Sequence, residues 1–230
     1  MTRRFKDRAE AGRLLGHRLR TYANRSDVIV LALPRGGVPV AFEVASALGV
    51  QIDVFVVRKL GTPGRRELAM GAIASGGVRV LNEDVIRLMR IREEVIDTVT
   101  AEEQQEMHRR ERAYRGTRPV PDLKGQTVIL VDDGLATGST MHAAVVAVRQ
   151  QQPARIVVAI PVAPPSTLRE LASEADEVVC VSAPEEPFEG VGRWYSDFSQ
   201  TTDKDVRQLL DRASGEQTSG RDSRIAAQKY

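Results

Sequence analysis

A chain of 230 residues that is 42% hydrophobic and 28% charged is long enough to bury one sizeable core and has the charge content of an ordinary soluble protein. Its 33 basic and 31 acidic residues leave a net charge of +2, and aromatics make up 4%. Those figures exclude a broad nucleic-acid footprint and argue against a base-stacking module, so no nucleic-acid partner is expected. The single cysteine, Cys180, rules out an intramolecular disulfide. It sits in the apolar run Val178 to Val181 and reads as a small buried hydrophobe, which fits a reducing cytoplasm. No apolar stretch approaches the roughly 18 residues needed to cross a membrane, and no signal peptide is read at the start.

In chain order, residues 5–22 read as an amphipathic helix carrying Phe5, Ala9, Leu14, Leu15 and Leu19 on one face. The locally basic start, residues 1–8, reads as a solvated helix beginning. The continuous apolar run 28–33 reads as a strand covered on both faces, as in parallel sheets. Pro34-Arg35-Gly36-Gly37 is then a turn, 38–48 a helix with Gly49 as its cap, and 52–57 a second strand, giving a βαβ unit. Residues 58–67 hold two glycines, a proline and four cations and read as an exposed, mobile loop. Short strands are expected at 70–74 and 78–81. A charged helix or helical hairpin follows at 83–115, laced by i,i+4 pairs, with His108 on its surface. Further strands are read at 127–131, 155–160 and 177–181, with helices at 139–150 and 166–174. An irregular aromatic segment covers 188–200, a last helix 202–212, and a polar, disordered tail 213–230. The alternation predicts an α/β fold: a doubly wound, mostly parallel five-stranded sheet flanked by helices, in a single domain over 1–212.

The most informative segment is Val131-Asp132-Asp133-Gly134-Leu135-Ala136-Thr137-Gly138-Ser139-Thr140. A buried strand delivers two adjacent carboxylates to its end, and a loop of small and hydroxyl residues enters a helix. Amides near 136–140 would face outward at the helix N-terminus, and Thr137, Ser139 and Thr140 add hydroxyl donors, an arrangement suited to a phosphate monoester. Carboxylates repel phosphate. At a sugar's length away, Asp132 and Asp133 can instead accept hydrogen bonds from ribose hydroxyls and help hold Mg²⁺ through water. A plain strand–turn–helix with an acidic cap would account for one Asp and one Thr, not for this whole run. No Gly-Lys-Ser/Thr follows, so the segment is no Walker loop.

Residues 128–140 resemble the phosphoribosyl pyrophosphate motif of type I phosphoribosyltransferases: four apolar residues, two acids, two mostly apolar residues and a Thr-Gly loop. The resemblance covers about residues 26–183 and is nearest to members with no assigned acceptor. It implies that Asp132 and Asp133 hold the ribose and, through water, Mg²⁺ as cofactor, while Ala136, Thr137, Gly138, Ser139 and Thr140 hold the 5-phosphate. It implies that Arg35, Gly36 and Gly37 form the pyrophosphate loop, which in this family often carries a cis or strained peptide. Arg58 and Lys59 would open the family's flexible catalytic loop, in which Glu67 is the one carboxylate and a candidate base or orienter. The partners implied are phosphoribosyl pyrophosphate and a small-molecule acceptor, with a homodimer left open.

Two positions depart from familiar members. Ala136 replaces the acid of the hypoxanthine-guanine enzymes, and Gly134 stands where most members have an apolar residue. The acceptor side in this family is a variable hood built from terminal segments, here 1–25 and 184–200. Val162 would floor it, and Trp194, Tyr195 and Phe198 either stack on a flat acceptor or form an aromatic cluster docking the C-terminal helix. The expected activity is transfer of 5-phosphoribose to a nitrogenous acceptor. The alternative is a non-catalytic sensor of phosphoribosyl pyrophosphate or nucleotides. A relative of the phosphoribosyl pyrophosphate synthetases would also need an ATP segment, and none is read.

Overall fold

The computed structural model describes residues 4–185 and 187–227, and the side chains of Arg66, Glu67 and 216–227 lie outside that description. The start of the basic segment, residues 1–3, and the end of the expected tail, 228–230, lie outside it too.

Five strands form one parallel sheet: β1 (Val28–Ala32), β2 (Gln51–Val54), β6 (Thr127–Val131), β7 (Arg155–Val162) and β8 (Glu177–Ser182), in the order β2-β1-β6-β7-β8. Every residue of β1 and β6 is buried. Because side chains alternate across a strand, Val28, Val30, Ala32, Ile129 and Val131 enter the core on one face, and Ile29, Leu31, Val128 and Leu130 the other. Helices α1 (Arg8–Arg18), α2 (Gly37–Leu48) and α7 (Asp203–Ala227) cover the first face through Leu15, Val40, Val44 and Val206. Helices α5 (Ser139–Gln150) and α6 (Pro165–Leu171) cover the second through Met141, Val145, Val148 and Leu171.

Two expectations are corrected. The mobile loop at 58–67 is part of a second, antiparallel sheet, β3 (Val57–Thr62), β4 (Arg65–Ala74) and β5 (Val78–Leu81), in the order β3-β4-β5. Pro63-Gly64 is the tight turn between β3 and β4, with Gly64 at φ 75°, and Leu60 and Thr62 are buried. The glycines and proline that read as loop punctuation serve a hairpin. The segment expected as a disordered tail continues α7 as far as Ala227.

The charged helical region forms α3 (Glu83–Met89) and α4 (Glu93–Arg115). Arg115, buried at the end of α4, donates from Nε to Asp53 Oδ2 at 2.7 Å and from a terminal nitrogen to the Val54 carbonyl at 2.9 Å. Burial outweighs Arg115 and holds the Asp53 carboxyl above its ordinary range. Removing one partner of such a pair strands a buried charge, so Arg115→Ala is expected to destabilise the fold by about 3–5 kcal/mol in urea titrations. Arg115→Met, of similar volume, together with Asp53→Leu should recover most of that loss.

Candidate functional site

Strands β1 and β6 are neighbours with Ala32 opposite Val131, and the chain leaves β1 for β2 on one side and comes back to β6 on the other. This is the switch point of a doubly wound sheet, where a crevice opens at the carboxyl ends of the strands. Leu33 N–H donates to the Val131 carbonyl at 2.9 Å, which sets the turn 34–37 directly against Asp132 and Asp133. The Pro34–Arg35 peptide is cis. A Cβ built on Gly36 would overlap Asp133 Oδ2, and one on Gly37 would lie 2.7 Å from the Val131 carbonyl and 2.9 Å from Asp132 Cα. Gly37 is therefore a packing requirement against backbone, whereas a carbon added at Gly36 would have to push the Asp133 side chain aside.

Both carboxylates are half-buried, and Asp132 Oδ1 accepts the Asp133 N–H at 2.8 Å. Burial pushes Asp132 well above the usual carboxylate range, and the neighbouring Asp133 charge adds to the shift. Burial raises Asp133 as well, against the opposing pull of Arg8. An acid pair whose ionised forms are disfavoured by burial is poised for a cationic or hydrogen-bond-donating ligand.

Beyond the acids, Ala136, Thr137 and Ser139 are placed at the loop's outer edge, Gly138 adopts φ 69° ahead of α5, and Thr137 and Ser139 share a hydroxyl contact of 3.0 Å. The open amino end of α5 presents backbone donors here. Thr167 of α6, not singled out by sequence reasoning, donates its hydroxyl to the Ala136 carbonyl at 2.7 Å and fixes the loop from behind. Thr167→Val removes that tether. It should weaken inorganic phosphate binding several-fold, by about 1 kcal/mol in calorimetry, with little change in unfolding temperature.

Gly134 also finds its reason. Its missing side chain is replaced by neighbours: a Cβ there would lie 2.5 Å from Val191 Cγ1 and 3.0 Å from Val162 Cγ1. Segment 191–199 thus docks straight onto the acid loop. Tyr195 is buried and its hydroxyl donates to the Asp133 carbonyl at 2.5 Å. Phe5 N–H donates to the Trp194 carbonyl and Ser196 N–H to the Phe5 carbonyl, both at 2.8 Å, and Phe5 and Tyr195 rings lie 5.4 Å apart. The aromatic cluster docks the N-terminal segment and not, as one sequence reading had it, the C-terminal helix.

A family model described as the phosphoribosyl transferase domain matches residues 5–193. The chain belongs to this phosphoribosyl transferase family. It is 46% identical over 209 residues to proteins called "Putative phosphoribosyl transferase" in two Mycobacterium tuberculosis strains, CDC 1551 and H37Rv, covering 91% of this chain. It spans about half the length of those relatives, 47% in each. Among solved structures, the TT1426 protein of Thermus thermophilus is 43% identical, with a TM-score of 0.80 over 90% of this chain and 97% of that one.

The remaining predicted residues of this phosphoribosyl transferase domain are placed as follows. Arg35 lies beside the acid loop and makes a loose pair with Asp203 at the start of α7, at 3.7 Å. Asp203 also accepts from Tyr114, whose phenol is pushed up to about 12 by burial and by that bond. Arg58 points to α4, where Nε donates to Glu103 at 2.6 Å, while Lys59, on the opposite face of β3, is exposed. The Glu67 backbone belongs to β4, and its side chain lies outside the described residues. Val162 is buried, Trp194 stacks on Phe188 at 6.1 Å, and Phe198 is partly exposed. Arg8 is the residue that sequence reasoning missed. Its Nε donates to Asp133 Oδ2 at 2.8 Å. Nothing local in the sequence signals a pair formed across that separation. No group of three or more metal-ligating side chains occurs among the described residues, and no described helix is long and apolar enough to cross a membrane.

Proposed function

We propose that the protein transfers 5-phosphoribose from 5-phosphoribosyl-1-pyrophosphate to a nitrogenous acceptor, a nucleobase being the favoured class, and releases pyrophosphate. The observation that carries this reading is the β1–β6 crevice: a double-glycine turn packed without side chains against two raised carboxylates, beside the open amino end of α5. Loop amides at 136–140 bind the 5-phosphate. Asp132 and Asp133 accept hydrogen bonds from the ribose hydroxyls, which orients C1 toward the turn at 34–37. Gly36 and Gly37 let the pyrophosphate approach the backbone, and the Arg35 guanidinium offsets its charge. The bond between C1 and the pyrophosphate oxygen breaks with its electron pair leaving on pyrophosphate, through an oxocarbenium-like state. The acceptor nitrogen's lone pair then forms the new bond to C1, and its proton passes to a base, for which Glu67 is the candidate. Arg58 and Lys59 are assigned to the leaving group, which requires Arg58 to leave Glu103.

Two hard carboxylate oxygens suit Mg²⁺, which prefers one or two carboxylates completed by phosphates and water, so Asp132 and Asp133 would hold it through water. When bound, Mg²⁺ supplies charge neutralisation of the pyrophosphate.

A second reading is favoured by one observation: Arg35 and Arg58 both pair with carboxylates of the protein itself. A sensor that binds phosphoribosyl pyrophosphate or a nucleotide without turnover would retain such pairs. Pyrophosphate release measured across a panel of nucleobases, with and without Mg²⁺, separates the two. Release with at least one base supports transfer. Tight binding by calorimetry with no release for any base supports the sensor, and absence of binding removes both. A companion thermal-shift screen of nucleoside monophosphates points to the base, because the product-like ligand stabilises most by mass action.

A further inference from the structure

We propose that Arg8 is a positioning residue that ties the aromatic hood to the Asp133 carboxylate, so that a phosphorylated pentose engaging that carboxylate resets the hood. The proposal rests on the reading of Asp133 as an acceptor for ribose hydroxyls. Arg8 opens α1, and its side chain is only 11% exposed. Its planar guanidinium makes three contacts at once: Nε to Asp133 Oδ2 at 2.8 Å, a terminal nitrogen to the Ser199 carbonyl at 2.7 Å, and its central carbon 3.9 Å from the centre of the Phe198 ring. Arginine alone combines a rigid donor fork with a face that stacks on an aromatic ring. On the same acid, Tyr195 donates to the backbone carbonyl. The hood therefore grips Asp133 at both its carboxylate and its main chain.

A vicinal diol that bonds both oxygens of a carboxylate needs the oxygen that Arg8 holds. That oxygen is also walled in by Gly36, where even a single added carbon would overlap it. Sugar binding therefore competes with the Arg8 bond for that oxygen, and a guanidinium displaced from it would draw on its contacts with Ser199 and Phe198. The hood in its present position also leaves the Trp194 indole N–H buried with no partner among the described residues. An unmade buried bond disfavours this arrangement and gives the hood a reason to shift once the Arg8 bond is released.

Trp194 is the single tryptophan of the chain and reports on the hood directly. In the unliganded protein, acrylamide quenching of Trp194 should rise in Arg8→Ala and in Asp133→Ala, and no further in the double variant, the non-additivity expected of two halves of one contact. In the intact protein, ribose 5-phosphate with Mg²⁺ should change Trp194 emission, whereas 2-deoxyribose 5-phosphate, lacking the diol, should change it far less. Arg8→Ala should bind ribose 5-phosphate by calorimetry and lose the emission change. Arg8→Lys, which keeps the charge, should restore part of it. Circular dichroism confirms that each variant is folded. If Arg8→Ala does not fold, Phe198→Leu, which removes the stacking ring and leaves the ion pair, should lose part of the response. Additive quenching in the double variant, or an emission change undiminished in Arg8→Ala, overturns the proposal. Absence of ribose 5-phosphate binding in the intact protein overturns the sugar-site reading instead, and the unliganded quenching series then decides the Arg8 contact by itself.

Discussion

Replacing Asp132 and Asp133 together by Asn is expected to lower affinity for phosphoribosyl pyrophosphate and ribose 5-phosphate by about 100-fold or more. Each lost charge-assisted hydrogen bond is worth about 1.5–3 kcal/mol, and two of them amount to at least that factor. Isothermal calorimetry measures it, and unchanged affinity in the double variant would sink the assignment of the sugar site. The unliganded protein should respond in the opposite sense. Both carboxyls are raised in the folded protein, so the folded state holds protons more tightly than the unfolded chain does. Their contribution is most favourable below the ordinary carboxylate pKa of about 4 and is lost as pH rises through the raised folded range. Asp132→Asn alone removes the larger of the two shifts and leaves the Arg8 pair intact. It should therefore raise the unfolding temperature at neutral pH, with the gain shrinking as the solution is acidified. A site kept ready for a ligand at the expense of stability behaves in this way.

The second large effect separates two adjacent glycines. Gly37→Ala drives a Cβ into the Val131 carbonyl and the Asp132 Cα, backbone atoms of the central strand's end that have no cheap way to yield. It should destabilise the fold by about 2–3 kcal/mol, within the range of overpacked sites, seen as a lower urea midpoint. Gly36→Ala meets the end of the Asp133 side chain, which can rotate away. Its stability loss should be smaller, and its loss of sugar-phosphate affinity should approach that of Asp133→Asn. Equal stability losses in the two variants would show that the turn and the acids do not pack as described.

Much of the fold was legible because its central strands are covered on both faces. The runs at 28–33 and 128–131 are continuously apolar for that reason, and the structure places β1 and β6 there side by side. The acids after β6 and the glycines after β1 stood out as residue types, and the structure brings them together at the ends of neighbouring strands. What escaped was set by contacts between distant segments. Residues 58–67 carry a proline, two glycines and four cations, and only the partner strand β4 makes their hairpin visible, with Leu60 and Thr62 turned inward. Residues 213–220, rich in Ser and Gly, offer little apolar periodicity, yet they continue α7. Gly134 had no local rationale, because the reason for it is Val191, far along the chain. Arg8 sat among other cations at a basic helix start, and its partner lies across the molecule.

The β3–β4 hairpin has a kinetic consequence. Ten or so residues free to fold over a substrate would each surrender backbone freedom, about 1–2 kcal/mol apiece, at every encounter. A laddered ribbon fastened to α4 by Arg58 and Glu103 has already surrendered it. Any cover this arm provides must then come from the ribbon moving as a unit. Leu60 and Met70, buried beneath it, hold it to the core beside that ion pair, so its opening should respond only weakly to salt.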